Sequence, residues 1–64
     1  MQLGVIGLGR MGRIVVDRTL AGGHDVVVFD LDDETVAGAA DAGATPADSI
    51  ADLVDTLGEE KRIW

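Results

Sequence analysis

Cysteine and tyrosine are absent from this chain of 64 residues, and proline, tryptophan and phenylalanine occur once each. Without cysteine there is no disulfide framework, no thiolate nucleophile and no thiolate metal site. The single histidine, His24, sits beside Gly22-Gly23 in a turn context, and no His, Asp or Glu grouping has metal-ligand spacing. Basic residues are also scarce, five against twelve acids, for a net charge of −7. A nucleic-acid partner is thereby excluded, because phosphate backbones need a basic patch. Long hydrophobic runs are lacking too. The first apolar run, Leu3 to Leu8, is broken by Gly4 and Gly7 and has no basic segment before it, so it is neither a signal peptide nor a membrane span. No membrane partner follows, and a cytoplasmic location is expected.

What is present describes a small globular chain: 47% hydrophobic residues, 27% charged residues and nine glycines. A chain of this length buries only about 60% of its unfolded surface, which makes it marginal without a ligand, a partner or more chain. The acids Asp17, Asp33, Glu34, Asp41, Asp48, Asp52, Asp55, Glu59 and Glu60 fall at loops and on outer helix faces. Such a dense acidic surface is typical of proteins from salt-loving microbes, where salt screens the self-repulsion.

The chain alternates strand and helix signals. Leu3 to Ile6 predicts a strand buried on both faces. Met11, Ile14, Val15 and the stem of Arg18 recur at helical spacing as far as Leu20, and Gly22-Gly23 ends that helix. Val26 to Phe29 is a second buried strand rich in β-branched residues. Asp32 or Asp33 caps a second helix running through Ala42 to a stop at Gly43, with Gly38 weakening its interior. Ala44 and Thr45 leave room for a brief third strand before Pro46. Ser49 caps a third helix with Asp52 three residues on, and Ile50, Leu53, Val54 and Leu57 share one face before Gly58. Arg62 to Trp64 reads as the opening of a fourth strand.

This is α/β alternation, the N-terminal half of a Rossmann doubly wound parallel sheet. Right-handed crossovers give the strand order 3-2-1-4, truncated at strand 4. Residues 1–64 are therefore expected to be the N-terminal part of a longer protein.

The stretch Gly7-Leu8-Gly9-Arg10-Met11-Gly12 gives that fold its chemistry. Three glycines in G-x-G-x-x-G spacing leave a strand and open a helix, and Asp30 follows 18 residues after Gly12 at the end of the second strand. Gly7 makes the tight turn, Gly9 lets the backbone approach a pyrophosphate, and Gly12 lets the helix pack against the strands. The N–H groups near Gly9, Arg10 and Met11 hold the phosphates at the positive end of the helix. Asp30 accepts hydrogen bonds from the adenosine ribose. The side chain of Arg10 either lies along the phosphates or is a surface charge.

The wording also resembles a family. "GLGRMG", "GGHDVVVFD" and "DAGA" before "ADSIADL" look like the amino-terminal domain of the β-hydroxyacid dehydrogenases, which include 6-phosphogluconate, 3-hydroxyisobutyrate and tartronate-semialdehyde enzymes. The tail "LVDTLGEEKRIW" looks most like the short, NAD-type 6-phosphogluconate dehydrogenases. The resemblance implies a cytoplasmic, homo-oligomeric parent that binds NAD and, through its other domain, a sugar-acid phosphate, which it oxidises and decarboxylates. NADP-using relatives place Asn-Arg-Thr where this chain has Asp30-Leu31-Asp32, so Asp30 and Leu31 imply NAD. Many relatives also carry Asn where this chain has Ile14.

No catalytic residue is expected within the chain. Lys61 and the Glu59-Glu60 and Asp32-Asp33-Glu34 groups read as solvated or capping charges, and Ser49 has no base beside it. A rival resemblance, to NAD-sensing regulatory domains of potassium transport, covers the first two strands. Those sensors end strand 3 in a Gly-Asp pair, where this chain has Gly43-Ala44-Thr45-Pro46.

Overall fold

The computed structural model of the chain describes residues 2–59 and 62–64. The expectations for Glu60 and Lys61 lie outside the described residues. The elements run β1 (Gln2–Ile6), α1 (Arg10–Ala21), β2 (Asp25–Phe29), α2 (Asp33–Asp41), β3 (Thr45–Pro46) and α3 (Ile50–Leu57).

The strands form one parallel sheet in the order β1-β2-β3, with Ile6 opposite Phe29 and Val28 opposite Pro46. β2 is the central strand of the three and buries both faces, as its run of valines requires. Val26 and Val28 point to one side with Val5, Leu8, Val16, Ala39 and Ala44, and Val27 points to the other with Ala47, Leu53 and Leu57. α1 and α2 cover the first side and α3 the second. At the edge of β1 away from β2, Ile63 makes a parallel bridge with Gly4. The Gly4 N–H donates to the Arg62 carbonyl at 2.7 Å and the Trp64 N–H donates to the Gly4 carbonyl at 2.8 Å.

The helix ends follow the sequence closely. Asp32, rather than Asp33, caps α2, its carboxylate accepting the Glu34 N–H at 3.1 Å and the Thr35 hydroxyl at 3.0 Å. Ser49 caps α3 by accepting the Asp52 N–H at 3.0 Å. Gly43 and Gly58, with φ of 115° and 63°, turn the chain out of α2 and α3 in a conformation that side chains resist.

Two helix faces depart from expectation. In α1 the buried residues are Gly12 and Val16, whereas Met11 is 65% exposed and Ile14 and Arg18 are also exposed. The helix makes its close approach where it has no side chain, at Gly12 against the Gly7 carbonyl of the turn after β1, and Met11 and Ile14 face away from the core. In α3, Leu53 and Leu57 enter the core but Ile50, in the first turn, stays half exposed. Gly4, which breaks the hydrophobic run of β1, has a packing reason. A Cβ there would lie 2.8 Å from both Leu53 Cδ2 and Leu57 Cδ1, so its absence lets α3 settle against the strand.

Candidate functional site

The carboxyl ends of β1 and β2 lie side by side, and the chain leaves each into a loop facing the same edge of the sheet. The Gly7 N–H donates to the Phe29 carbonyl at 2.9 Å, carrying the pairing one residue past Ile6. Gly7 then turns with φ of 86°, a value that favours glycine. Leu8 drives its side chain into the core, where it is 2% exposed, and Gly9 begins α1. A buried anchor therefore sits between two exposed glycines, fixing the turn from below.

Each glycine of the motif occupies a different environment. A Cβ on Gly12 would fall 2.4 Å from the Gly7 carbonyl oxygen, closer than backbone permits, so this glycine is required for the turn to lie against the helix. A Cβ on Gly9 would meet nothing within 4 Å. Gly9 has an ordinary negative φ of −49°, so neither packing nor strain within the chain calls for glycine there.

The start of α1 is electrostatically open. Gly9 offers no side-chain cap, and the first turn holds no acidic residue. The helical ladder begins with the Arg13 N–H donating to the Gly9 carbonyl at 3.0 Å, leaving the N–H groups of Arg10, Met11 and Gly12 ahead of it. Those groups, with the positive end of the helix dipole, are suited to an anion. The Arg10 side chain is exposed at the first helical position.

Asp30 closes the other side. Its Oδ2 accepts the Leu8 N–H at 2.6 Å and its Oδ1 accepts the Asp32 N–H at 2.9 Å. These backbone donors, Leu8 foremost, hold the carboxyl below its ordinary value of 3.8. The carboxylate keeps unused lone pairs toward solvent, enough for further hydroxyl donors. The Leu8 contact joins residues 22 apart in sequence, and the acid-at-strand-end pattern gives no hint of it.

Beside the turn lies a cleft of about 370 Å³ lined by Ile6, Gly7, Phe29, Asp30, Leu31 and Ile50. Leu31, 92% exposed, stands at its mouth, and half-exposed Ile50 faces it from α3. Phe29 and Ile50 carry no motif signal that would have marked them as cleft residues. A larger concavity, about 540 Å³, lies against α3 among Ala51, Val54, Asp55, Gly58 and Glu59. Among the described residues its lining carries no cationic group, so its size alone gives it no chemistry.

The structure thus brings Gly7, Gly9, Arg10, Met11, Gly12, Asp30 and Leu31 together at the carboxyl end of the sheet. Backbone donors for an anion adjoin a carboxylate and an apolar cleft. That donor set is chemically suited to an adenine dinucleotide. Among the described residues no group of three or more His, Cys, Asp and Glu could hold a metal ion, and no helix is long and apolar enough to cross a membrane.

Comparison with known proteins adds to the geometry. The family model for the NAD binding domain of 6-phosphogluconate dehydrogenase matches residues 2–64. An NAD(+)-dependent, decarboxylating 6-phosphogluconate dehydrogenase of Haloferax volcanii is 78% identical over all 64 residues. The chain spans 21% of that relative's length. An imine reductase variant from Myxococcus stipitatus, solved with NAD+, superposes with a TM-score of 0.81 at 33% identity, over 86% of this chain and 19% of its own. An imine reductase from a Pseudomonas species gives 0.79 at 26% identity, over 84% and 19%.

Proposed function

The chain belongs to the family of NAD-binding domains of 6-phosphogluconate dehydrogenase, and from that premise we propose that it is the cofactor-binding part of an NAD-dependent, decarboxylating 6-phosphogluconate dehydrogenase. The observation that carries this reading is the open start of α1, framed by Gly7 and Gly12 and faced by Asp30. Gly9, Arg10 and Met11 hold the pyrophosphate through their backbone N–H groups, and Gly9 leaves room for it. Asp30 receives the adenosine ribose hydroxyls, and the adenine lies in the cleft between Leu31 and Ile50. When bound, NAD supplies a hydride acceptor.

Asp30 and Leu31 also set the choice of cofactor. A carboxylate accepts hydroxyls but repels the additional phosphate of NADP, and Leu31 offers no cation to neutralise it. Arg62 to Trp64 are read as the first residues of a fourth strand, giving the order 3-2-1-4, with substrate and catalytic groups supplied by a further domain. A cytoplasmic homo-oligomer and adaptation to high salt belong to the same reading. With a net charge of −7, molar potassium chloride, which shrinks the screening length to about 3 Å, is expected to raise the thermal midpoint.

The test is turnover by the whole protein, followed as NADH formation. The expected result is oxidation of 6-phosphogluconate with NAD at least about tenfold better than with NADP, and no turnover by residues 1–64 alone. Turnover of 3-hydroxyisobutyrate or tartronate semialdehyde in preference to 6-phosphogluconate, or nucleotide binding with no turnover, would overturn the assignment.

A further inference from the structure

The Asp30 carboxylate is engaged before any ligand arrives. Its two oxygens hold donors from two different loops: Leu8, in the glycine turn after β1, and Asp32, at the cap of α2. A short bond from a backbone N–H to an ionised carboxylate is stronger than one between neutral groups. Leu8 is thus held twice, by its buried side chain and by its amide. It immediately precedes Gly9, where α1 begins and where nothing in the chain packs against the backbone.

We propose that Asp30 is a positioning residue for the pyrophosphate site: by tying the Leu8 amide to the end of β2, it fixes the glycine turn so that the N–H groups of Gly9, Arg10 and Met11 are aligned before the nucleotide binds. The proposal rests on the dinucleotide reading of that turn. It adds to the ribose contact a second task that the same carboxylate performs through different lone pairs. A turn released from Leu8 samples other conformers, and apparent affinity falls with the fraction that remains competent.

This role has a consequence of distinctive sign. Inorganic pyrophosphate has no ribose, so an Asp30 that served only the sugar would not assist its binding. Removing a negative charge near a phosphate site would, by Coulomb's law alone, tighten it. Removing a positioning group weakens it.

The experiment uses the whole protein without cofactor, comparing wild type with Asp30→Asn and Asp30→Ala. Hydrogen exchange of the Leu8 amide is read by nuclear magnetic resonance, and pyrophosphate binding by calorimetry. In the wild type the Leu8 amide is expected to exchange slowly while Arg10 and Met11 exchange fast. Asp30→Ala, which keeps no acceptor, is expected to lose the Leu8 protection and to bind pyrophosphate about tenfold more weakly, and Asp30→Asn, whose one oxygen can serve only one of the two N–H groups, to show a smaller loss of both. Pyrophosphate affinity that is equal or tighter in the variants would overturn the proposal. Should a variant not fold, the wild-type measurement still decides. Fast Leu8 exchange with NAD binding intact overturns the positioning role alone, whereas failure of wild type to bind both NAD and pyrophosphate overturns the dinucleotide reading with it.

Discussion

Helix α3 begins with its own polar cap and α1 begins with none. At α3, the Ser49 hydroxyl accepts the Asp52 N–H and the Asp52 carboxylate accepts the Asp48 N–H at 3.0 Å, so that the start of the helix is satisfied by its own sequence. α2 is closed in the same manner by Asp32, with Asp33 and Glu34 adding negative charge in the first turn. At α1 the cap position is Gly9, the first turn has no acid, and the residue that enters it is Arg10. The nearby carboxylate, Asp30, takes the N–H of Leu8 rather than those of the helix itself. Two helix starts are thus finished by side chains of the chain, and that of α1 is left uncapped. The glycines sharpen the contrast: Gly12 is demanded by the fold, whereas Gly9 has no structural reason within the chain.

The largest expected effect comes from breaking the packed side of the open turn. Gly12→Ala places a Cβ against the Gly7 carbonyl oxygen, and the strain of overpacking is expected to cost about 3 kcal/mol of stability and about a hundredfold in NAD affinity. Thermal melting and titration with NAD measure the two losses together. Gly9→Ala separates them. Its Cβ meets no protein atom, so the melt is expected to change by no more than about 1 kcal/mol, while NAD affinity falls about tenfold because the methyl group enters the space assigned to the phosphates.

The capped helix supplies the converse. Ser49→Ala removes the acceptor for the Asp52 N–H and is expected to cost about 1 kcal/mol in a melt, with NAD affinity unchanged. A Ser49→Ala protein that loses NAD binding as severely as Gly9→Ala would erase the distinction between the two helix starts. Acid gives the smallest and most local effect. The folded-state pKa of Asp30 is lowered, so its contribution is present above the ordinary value of 3.8 and is lost as pH falls below it, through the folded value. The Leu8 amide is expected to lose exchange protection in that window, with the start of α3 keeping its Ser49 bond.

Much of this organisation was legible because it is written locally. Caps, glycine stops and the β-branched run of β2 act over a few residues, and Asp32, Ser49, Gly43 and Gly58 behave as their types dictate. The clustering of Gly7, Gly9, Gly12 and Asp30 follows from the alternation of strands and helices, since parallel strands bring their carboxyl ends together. What escaped depends on which surfaces meet. Spacing placed Met11 and Ile14 on the inner face of α1, but that helix makes its close approach at Gly12, and they face outward. Ile50 fits the apolar stripe of α3 yet lies beside the cleft, while Leu53 and Leu57 pack against Gly4. The tie from Asp30 to Leu8 spans 22 residues, and no local pattern records it.

Of the three helix starts among the described residues, the uncapped one at α1 is the one proposed to receive a ligand anion. Titrating NAD into the whole protein while following backbone amide resonances tests it directly. The largest shifts are expected on Gly9, Arg10 and Met11, with the Glu34 and Asp52 amides at the capped starts of α2 and α3 nearly unmoved. Equal shifts at all three helix starts, or shifts at Glu34 and Asp52 with none at Gly9 to Met11, would contradict it.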